Sequence, residues 1–161
     1  MTLLQRRRDM HALSAEAGMP STSVVESSIL ITAPLETVWQ YTIDVNRWPE
    51  WCPTIQAASV QDADQLSIGT EFSVKQPLQP KRRWQVTELV PNKVEAWRTI
   101  DEKERFVARH VLVDNRTSIE STLQLRFVPT WWPIQSLLTL AFKAALNREN
   151  RALKVVCERS S

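Results

Sequence analysis

Alternating apolar and polar residues predict strands through most of the chain. In segment 24–33, every second position from Val25 to Ala33 lies on one mostly apolar face. The segment 117–128 has the clearest alternation: Ser121 is the one polar residue on a face otherwise formed by apolar residues from Ile119 to Phe127. Between these two segments, breaks at glycine, proline and asparagine separate the other strands. The expected strands after the first are 56–61, 69–77, 82–90, 93–101, 104–114 and 117–128.

Helical spacing of apolar residues predicts three helical segments. A short amphipathic helix is expected over 34–44, with Pro34 in its first turn and Thr32 as its N-cap. The prolines within 46–53 limit that segment to one helical turn carrying two indoles. A long helix begins near Pro133 and runs towards the end of the chain, apolar on most sides in its first half and amphipathic in its second.

The order of these elements predicts an α+β fold. The chain begins with one strand and two short helices, continues with several antiparallel strands and ends with a long helix. This order predicts a curved sheet of six to seven strands wrapped around the C-terminal helix. Tight hairpins are expected at Pro91-Asn92 and at Asp114-Asn115, because asparagine and aspartate tolerate the left-handed backbone and Asn115 can take it. We expect one domain over 23–161, preceded by a mobile extension over 1–22. The apolar stretch 131–146 is shorter than the ~20 residues that cross a bilayer.

The composition argues against several classes of binding site. The net charge of +2 is weak for a protein that neutralises nucleic-acid phosphates. The only glycines, Gly18 and Gly69, cannot form a glycine-rich phosphate loop. The cysteines, Cys52 and Cys157, have no partners at zinc-ligand spacing and are expected to be thiols in a reducing cytoplasm. We therefore expect a cytoplasmic protein with no metal, no nucleotide or other cofactor, no nucleic-acid partner and no integral membrane association.

A series of short motifs, taken in order, resembles a known superfamily. The motifs are the strand and proline-led helix start at 24–34, Val38-Trp39, Asp44, Trp48-Pro49-Glu50-Trp51, Gly69-Thr70-Glu71-Phe72, the segment 84–91, Trp97 and His110-Val111. The series is similar to the START-like superfamily of polyketide cyclase/dehydrase and lipid-transport proteins, which has the Bet v 1-like helix-grip fold. The resemblance covers about residues 24–158. It implies a cavity between the sheet and the long helix, open near the helix at 34–44.

The function expected from this resemblance is binding, in carriage or sensing, of a small hydrophobic molecule that is lipid-like or aromatic. Seven tryptophans, against one tyrosine, suit an aromatic-lined pocket, although indoles also pack in ordinary cores. His110 lies on the strand face of Phe106 and Ala108, and it projects into the cavity if that face points inward. The expected ligand-binding residues are Trp51, Phe72, Trp84, Trp97, His110, Ser121, Leu123, Leu138, Phe142 and Leu146.

Two other functions are left open by the sequence. The first is a polyketide cyclase or dehydratase, in which His110, helped by Glu88 if it shares a face with Trp84 and Val86, moves protons in the same cavity. The second is an adaptor for a protein partner, with a collapsed and vestigial cavity. The sequence does not fix the ligand or the oligomeric state.

Overall fold

A seven-stranded antiparallel sheet and one long helix form the fold. The computed structural model describes residues 22–61, 63, 65–100, 105–128 and 134–160. The strands are β1 (Ser23–Ile31), β2 (Ala57–Val60), β3 (Glu71–Lys75), β4 (Arg82–Val90), β5 (Val94–Thr99), β6 (Phe106–Asp114) and β7 (Ile119–Phe127). The helices are α1 (Leu35–Ile43), α2 (Trp48–Trp51, preceded by a 3-10 turn over Val45–Arg47) and α3 (Gln135–Arg159). The predicted α+β helix-grip arrangement is confirmed.

The order of strands in the sheet is β1-β7-β6-β5-β4-β3-β2. The sequence-distant strands β1 and β7 are paired throughout, from Ser23 opposite Phe127 to Ile31 opposite Ile119. Helix α3 packs against β1 and β7 and also contacts α1. The first and last elements of the fold are therefore joined to each other.

The start of helix α1 and the turn of the β6–β7 hairpin differ from the sequence prediction. Helix α1 begins at Leu35 with Pro34 at the N-cap position, and the backbone N–H of Thr32 instead donates to Glu158 at 2.8 Å. The Thr32 cap is therefore wrong, because an extended Pro34 separates Thr32 from the first helical turn. In the β6–β7 hairpin the left-handed residue is Arg116, with φ of 73°, and not Asn115. The Asp114 carboxylate accepts a hydrogen bond from the Arg116 N–H at 2.7 Å and holds this turn.

The buried apolar residues form two clusters between the sheet and the helices. One is built around Trp48, Phe72 and Phe127 and includes Leu146 of α3. The other contains Val38 and Trp39 of α1 together with Leu153 and Cys157 of α3. Helix α3 thus contributes to both clusters, with its first half in one and its second half in the other.

Some sequence predictions concern residues outside the described part of the chain. These are the extension over 1–22 apart from residue 22, the first residues of the apolar stretch 131–146 and the helix start near Pro133. Cys52 and Cys157 are both buried thiols in the structure.

Candidate functional site

Two neighbouring cavities lie between the sheet and α3. The larger has a volume of about 120 Å³ and the smaller about 60 Å³. Trp48, Ile55, Trp97 and Glu149 line both of them. The walls are mostly aromatic and aliphatic, as in binding sites for small apolar molecules. Both volumes are below the roughly 300 Å³ at which ligand pockets usually begin, so this site fits a small molecule.

The residues predicted from the sequence are distributed unequally around these cavities. Trp84, Phe142 and Leu146 line the larger cavity, Trp51, His110 and Leu123 line the smaller one, and Trp97 lines both. Phe72 is fully buried behind the wall, with its ring 5.7 Å from Trp48 and 6.1 Å from Trp97. Leu138 packs against the core without lining either cavity, and Ser121 lies behind His110.

A chain of hydrogen bonds runs from His110 to β1. His110 Nε2 lies 2.7 Å from Ser121 Oγ, and Ser121 Oγ donates to Asn150 Oδ1 at 2.8 Å. The Asn150 amide Nδ2 donates to the backbone carbonyl of Ser27 at 2.8 Å. These four residues are buried, with exposures from 0% to 5%. Because buried polar groups need partners, this network holds the Nε2 edge of the His110 ring in place.

The other side of the ring faces a buried carboxyl group. His110 Nδ1 lies 3.8 Å from Glu95 Oε1, and Glu95 is only 2% exposed. Burial disfavours the charged form of both groups, so it lowers the pKa of His110 to about 3 and raises the pKa of Glu95 well above its ordinary range. The structure therefore favours a neutral imidazole beside a protonated carboxyl group.

A second carboxyl group, Glu149 of α3, lies between the two cavities. Its Oε1 accepts a hydrogen bond from Thr54 Oγ1 at 2.6 Å. Since that hydroxyl proton is used, the Cys52 thiol is the donor in its 3.3 Å contact with Thr54. Burial raises the pKa of Glu149, and burial followed by the charge of Glu149 raises the pKa of Cys52 to about 11. Cys52 is therefore a protonated thiol and not a nucleophile at neutral pH.

Glu88 does not lie beside His110. The β4–β5 pairing shifts between Val86 and Glu88, and this irregularity turns Glu88 away from the face of Trp84 and Val86. Its carboxylate instead accepts from Arg109 Nε at 3.1 Å, and both side chains are 42% exposed. The expected shared face is therefore wrong, and Glu95 is the carboxyl group next to the histidine.

Comparison with known proteins identifies the family. A family model described as polyketide cyclase/dehydrase and lipid transport matches residues 22–158. The chain belongs to this family. No match was found among curated proteins.

Solved structures share the fold of this polyketide cyclase/dehydrase family member at low sequence identity. A di-domain aromatase/cyclase of the steffimycin pathway matches with a TM-score of 0.71 and 11% identity, over 86% of this chain and 51% of that one. The chain thus spans about half of that protein. The Zhui aromatase/cyclase from Streptomyces sp. R1128 matches with a TM-score of 0.70 and 15% identity, over 86% and 95%. A START superfamily protein from Mycobacterium smegmatis matches with a TM-score of 0.69 and 16% identity, over 86% of this chain and 99% of that one.

Three polar residues near the cavities of this family member were not predicted from the sequence: Glu95, Glu149 and Asn150. Alternation along β5 places Glu95 on the same face as Trp97, a signal that was present in the sequence. Glu149 and Asn150 lie three and four positions after Leu146, which places them beside it on the helix. Their apolar surroundings appear only once α3 packs against the sheet. Among the described helices, none is long and apolar enough to cross a membrane.

Proposed function

We propose that the protein binds a small apolar ligand, lipid-like or aromatic, inside the paired cavities, as a carrier or a sensor. The observation that supports this most directly is the apolar wall shared by sheet and helix, with Trp48 and Trp97 common to both cavities. Removing apolar ligand surface from water contributes roughly 25 cal/mol per Å² before the costs of ordering. The family to which the chain belongs is described by lipid transport as well as cyclisation.

Filling the larger cavity is expected to abolish binding. Ala145 lines this cavity from α3, whereas the next residue back, Ala144, is exposed. Ala145→Trp places an indole where the ligand would lie, and Ala144→Trp adds the same side chain to the surface. Native mass spectrometry of gently purified proteins should show an apolar adduct in the wild type and in A144W, and none in A145W.

Extraction of the adduct would name its chemical class. An unliganded mass for the wild-type protein, unchanged after incubation with n-octanol, would contradict the proposal and favour the adaptor role. Circular dichroism and thermal unfolding of A145W show whether the added indole is accommodated, because overpacking costs roughly 1–3 kcal/mol. Equal adduct in A145W and the wild type would place the ligand elsewhere.

Catalysis by a cyclase or dehydratase is a second candidate, favoured by the position of His110. Its neutral ring lines the smaller cavity and is held by Ser121, so it can orient an enol or hydroxyl group of a substrate. Because burial lowers the pKa of His110 to about 3, the ring would act by hydrogen bonding rather than as a strong base. Incubation of a short poly-β-ketone with the wild type and with His110→Ala tests this. Turnover that is lost in the variant while binding is kept supports an enzyme, and absence of turnover in both with equal affinity supports a carrier.

A further inference from the structure

The polar groups around the smaller cavity include two carboxyl groups and an imidazole, together with the indole N–H of Trp51, which is buried without a hydrogen-bond partner among the described residues. Glu95, His110 and Glu149 line it, and no lysine or arginine is among the described residues around it. Glu95 is 2% exposed, and its Oε1 atom has no hydrogen-bond partner in the described part of the chain. A buried oxygen without a partner is costly, so a ligand that donates a hydrogen bond there would gain affinity.

The hydrogen-bond network determines which atom of His110 faces this cavity as an acceptor. The Ser27 carbonyl can only accept, so Asn150 must present Nδ2 to it and Oδ1 to Ser121. The single hydroxyl proton of Ser121 is then used on Asn150, and Ser121 Oγ accepts from His110 Nε2–H. The neutral ring therefore carries its lone pair on Nδ1, on the side of Glu95.

The spacing of the two acceptors suits one donor placed between them. Glu95 Oε1 and His110 Nδ1 are 3.8 Å apart, too far for a direct hydrogen bond. A third atom at about 2.9 Å from each can bond both of them at once. An ammonium group has several N–H donors and meets this requirement, whereas a carboxylate would add a third acceptor.

Aromatic rings complete the surroundings. Trp48, Trp51 and Trp97 line the same cavity, and the ring centroids of Trp48 and Trp97 are 5.7 Å apart. The faces of indole rings attract cations more strongly than those of the other aromatic side chains. Carboxyl groups and indoles together therefore favour a positively charged group over a neutral or negative one.

We propose that the smaller cavity binds the ammonium group of an apolar amine whose body occupies the larger cavity. This inference rests on the proposed function, since it assigns the polar end of the same ligand. Glu95 forms the ion pair, His110 Nδ1 accepts a second hydrogen bond, and the indoles surround the remaining N–H and C–H groups. No bond is made or broken except that Glu95 gives its proton to the solvent when the cation binds.

Three probes with the same tail test the proposal on the wild-type protein. Isothermal titration at pH 7.5 with n-octylammonium, n-octanol and octanoate compares a cation, a neutral group and an anion. We expect n-octylammonium to bind about tenfold or more tightly than n-octanol, a difference of about 1.4 kcal/mol, and octanoate to bind weakest. Equal or tighter binding of n-octanol or octanoate overturns the ammonium site and leaves the apolar cavity standing. Binding of none of the three overturns both.

A matched pair of variants locates the effect. Glu95→Gln keeps the size of the side chain and removes its charge, and Glu88→Gln makes the same change on the outer face. E95Q should lose about tenfold in affinity for n-octylammonium and stay within about twofold for n-octanol, while E88Q changes neither. Unchanged n-octylammonium binding by E95Q contradicts the proposal.

Proton release gives a readout that does not depend on the folding of any variant. The groups facing Glu95 are His110 from β6, Trp97 from its own strand and Glu149 from α3. Because burial keeps Glu95 protonated in the empty cavity, cation binding should release a proton and strengthen as the pH rises towards the raised pKa of Glu95. Binding enthalpies in two buffers of different ionisation enthalpy measure this release. Equal enthalpies at pH 5.5, where the raised pKa keeps Glu95 protonated in the empty cavity, would refute the ion pair with Glu95.

Discussion

Replacing Asn150 by leucine should destabilise the protein by about 3 kcal/mol, because it leaves several buried polar groups without partners. Asn150 is 1% exposed and bonds the Ser121 hydroxyl as well as the Ser27 carbonyl. Leucine has a similar size and a higher helix propensity than asparagine. Neither a cavity nor a weaker helix can therefore account for the loss. Urea denaturation measures the change in the free energy of unfolding.

Asn147→Leu is the matched control for this prediction. Asn147 lies one turn earlier in α3 and is partly exposed, so its replacement should change the free energy of unfolding by less than about 0.5 kcal/mol. Equal free energies of unfolding for the two variants would show that the hydrogen bonds linking His110 to Ser27 make no net contribution to stability.

The second large effect is on the pH dependence of stability. The His110 pKa is lowered from 6.5 to about 3 in the folded protein. Below pH 6.5 the unfolded chain binds a proton on this residue that the folded chain does not, so stability falls as the pH drops towards 3. Between pH 7 and pH 4 this loss amounts to about 3 kcal/mol, at roughly 1.4 kcal/mol per pH unit below 6.5. His110→Gln removes that loss.

Urea denaturation of wild type and H110Q at pH 7 and pH 4 tests this result. Glu95 and Glu149 have raised pKa values, which make the opposite contribution, and both are present in the two proteins. The contribution of Glu149 cancels in the difference between wild type and variant, and that of Glu95, which lies 3.8 Å from His110, cancels in part. At pH 8, where neither the folded nor the unfolded His110 is charged, that difference should be independent of pH. Parallel loss of stability by both proteins on acidification would exclude a neutral, buried His110.

The sequence was sufficient for the order of strands and helices and for the α+β fold. Alternation along 117–128 identified β7 and the inward position of Ser121, and the observed strand 82–90 has the bounds that were predicted. Helical and strand periodicity report which face of an element is apolar. Trp97, Phe142 and Leu146 do line the cavities, while their role in ligand binding stays a prediction.

The rest of the site depends on strand irregularities and tertiary packing, which the periodicity of a sequence does not report. The irregularity near Val86 turned Glu88 outward, and a shift of one residue exchanges the faces of a strand. Asn150 lies in a charged stretch of α3 that looks solvated, yet tertiary packing buries it against Ser121 and Ser27. Polar residues with such distant partners cannot be assigned from local pattern, because their partners are 29 and 123 positions away in the chain.

That separation of 123 positions has a consequence for how the protein is made. During synthesis, Ser27 leaves the ribosome long before Asn150, and all seven strands are complete before α3 is available to cover them. Contacts between distant parts of a chain form slowly, because the loop between them must close first. Until α3 has packed, the apolar face of the strands lacks its cover and is open to chaperones or to aggregation. The two cavities are complete only when α3 has packed against the sheet, because residues of α3 line both of them.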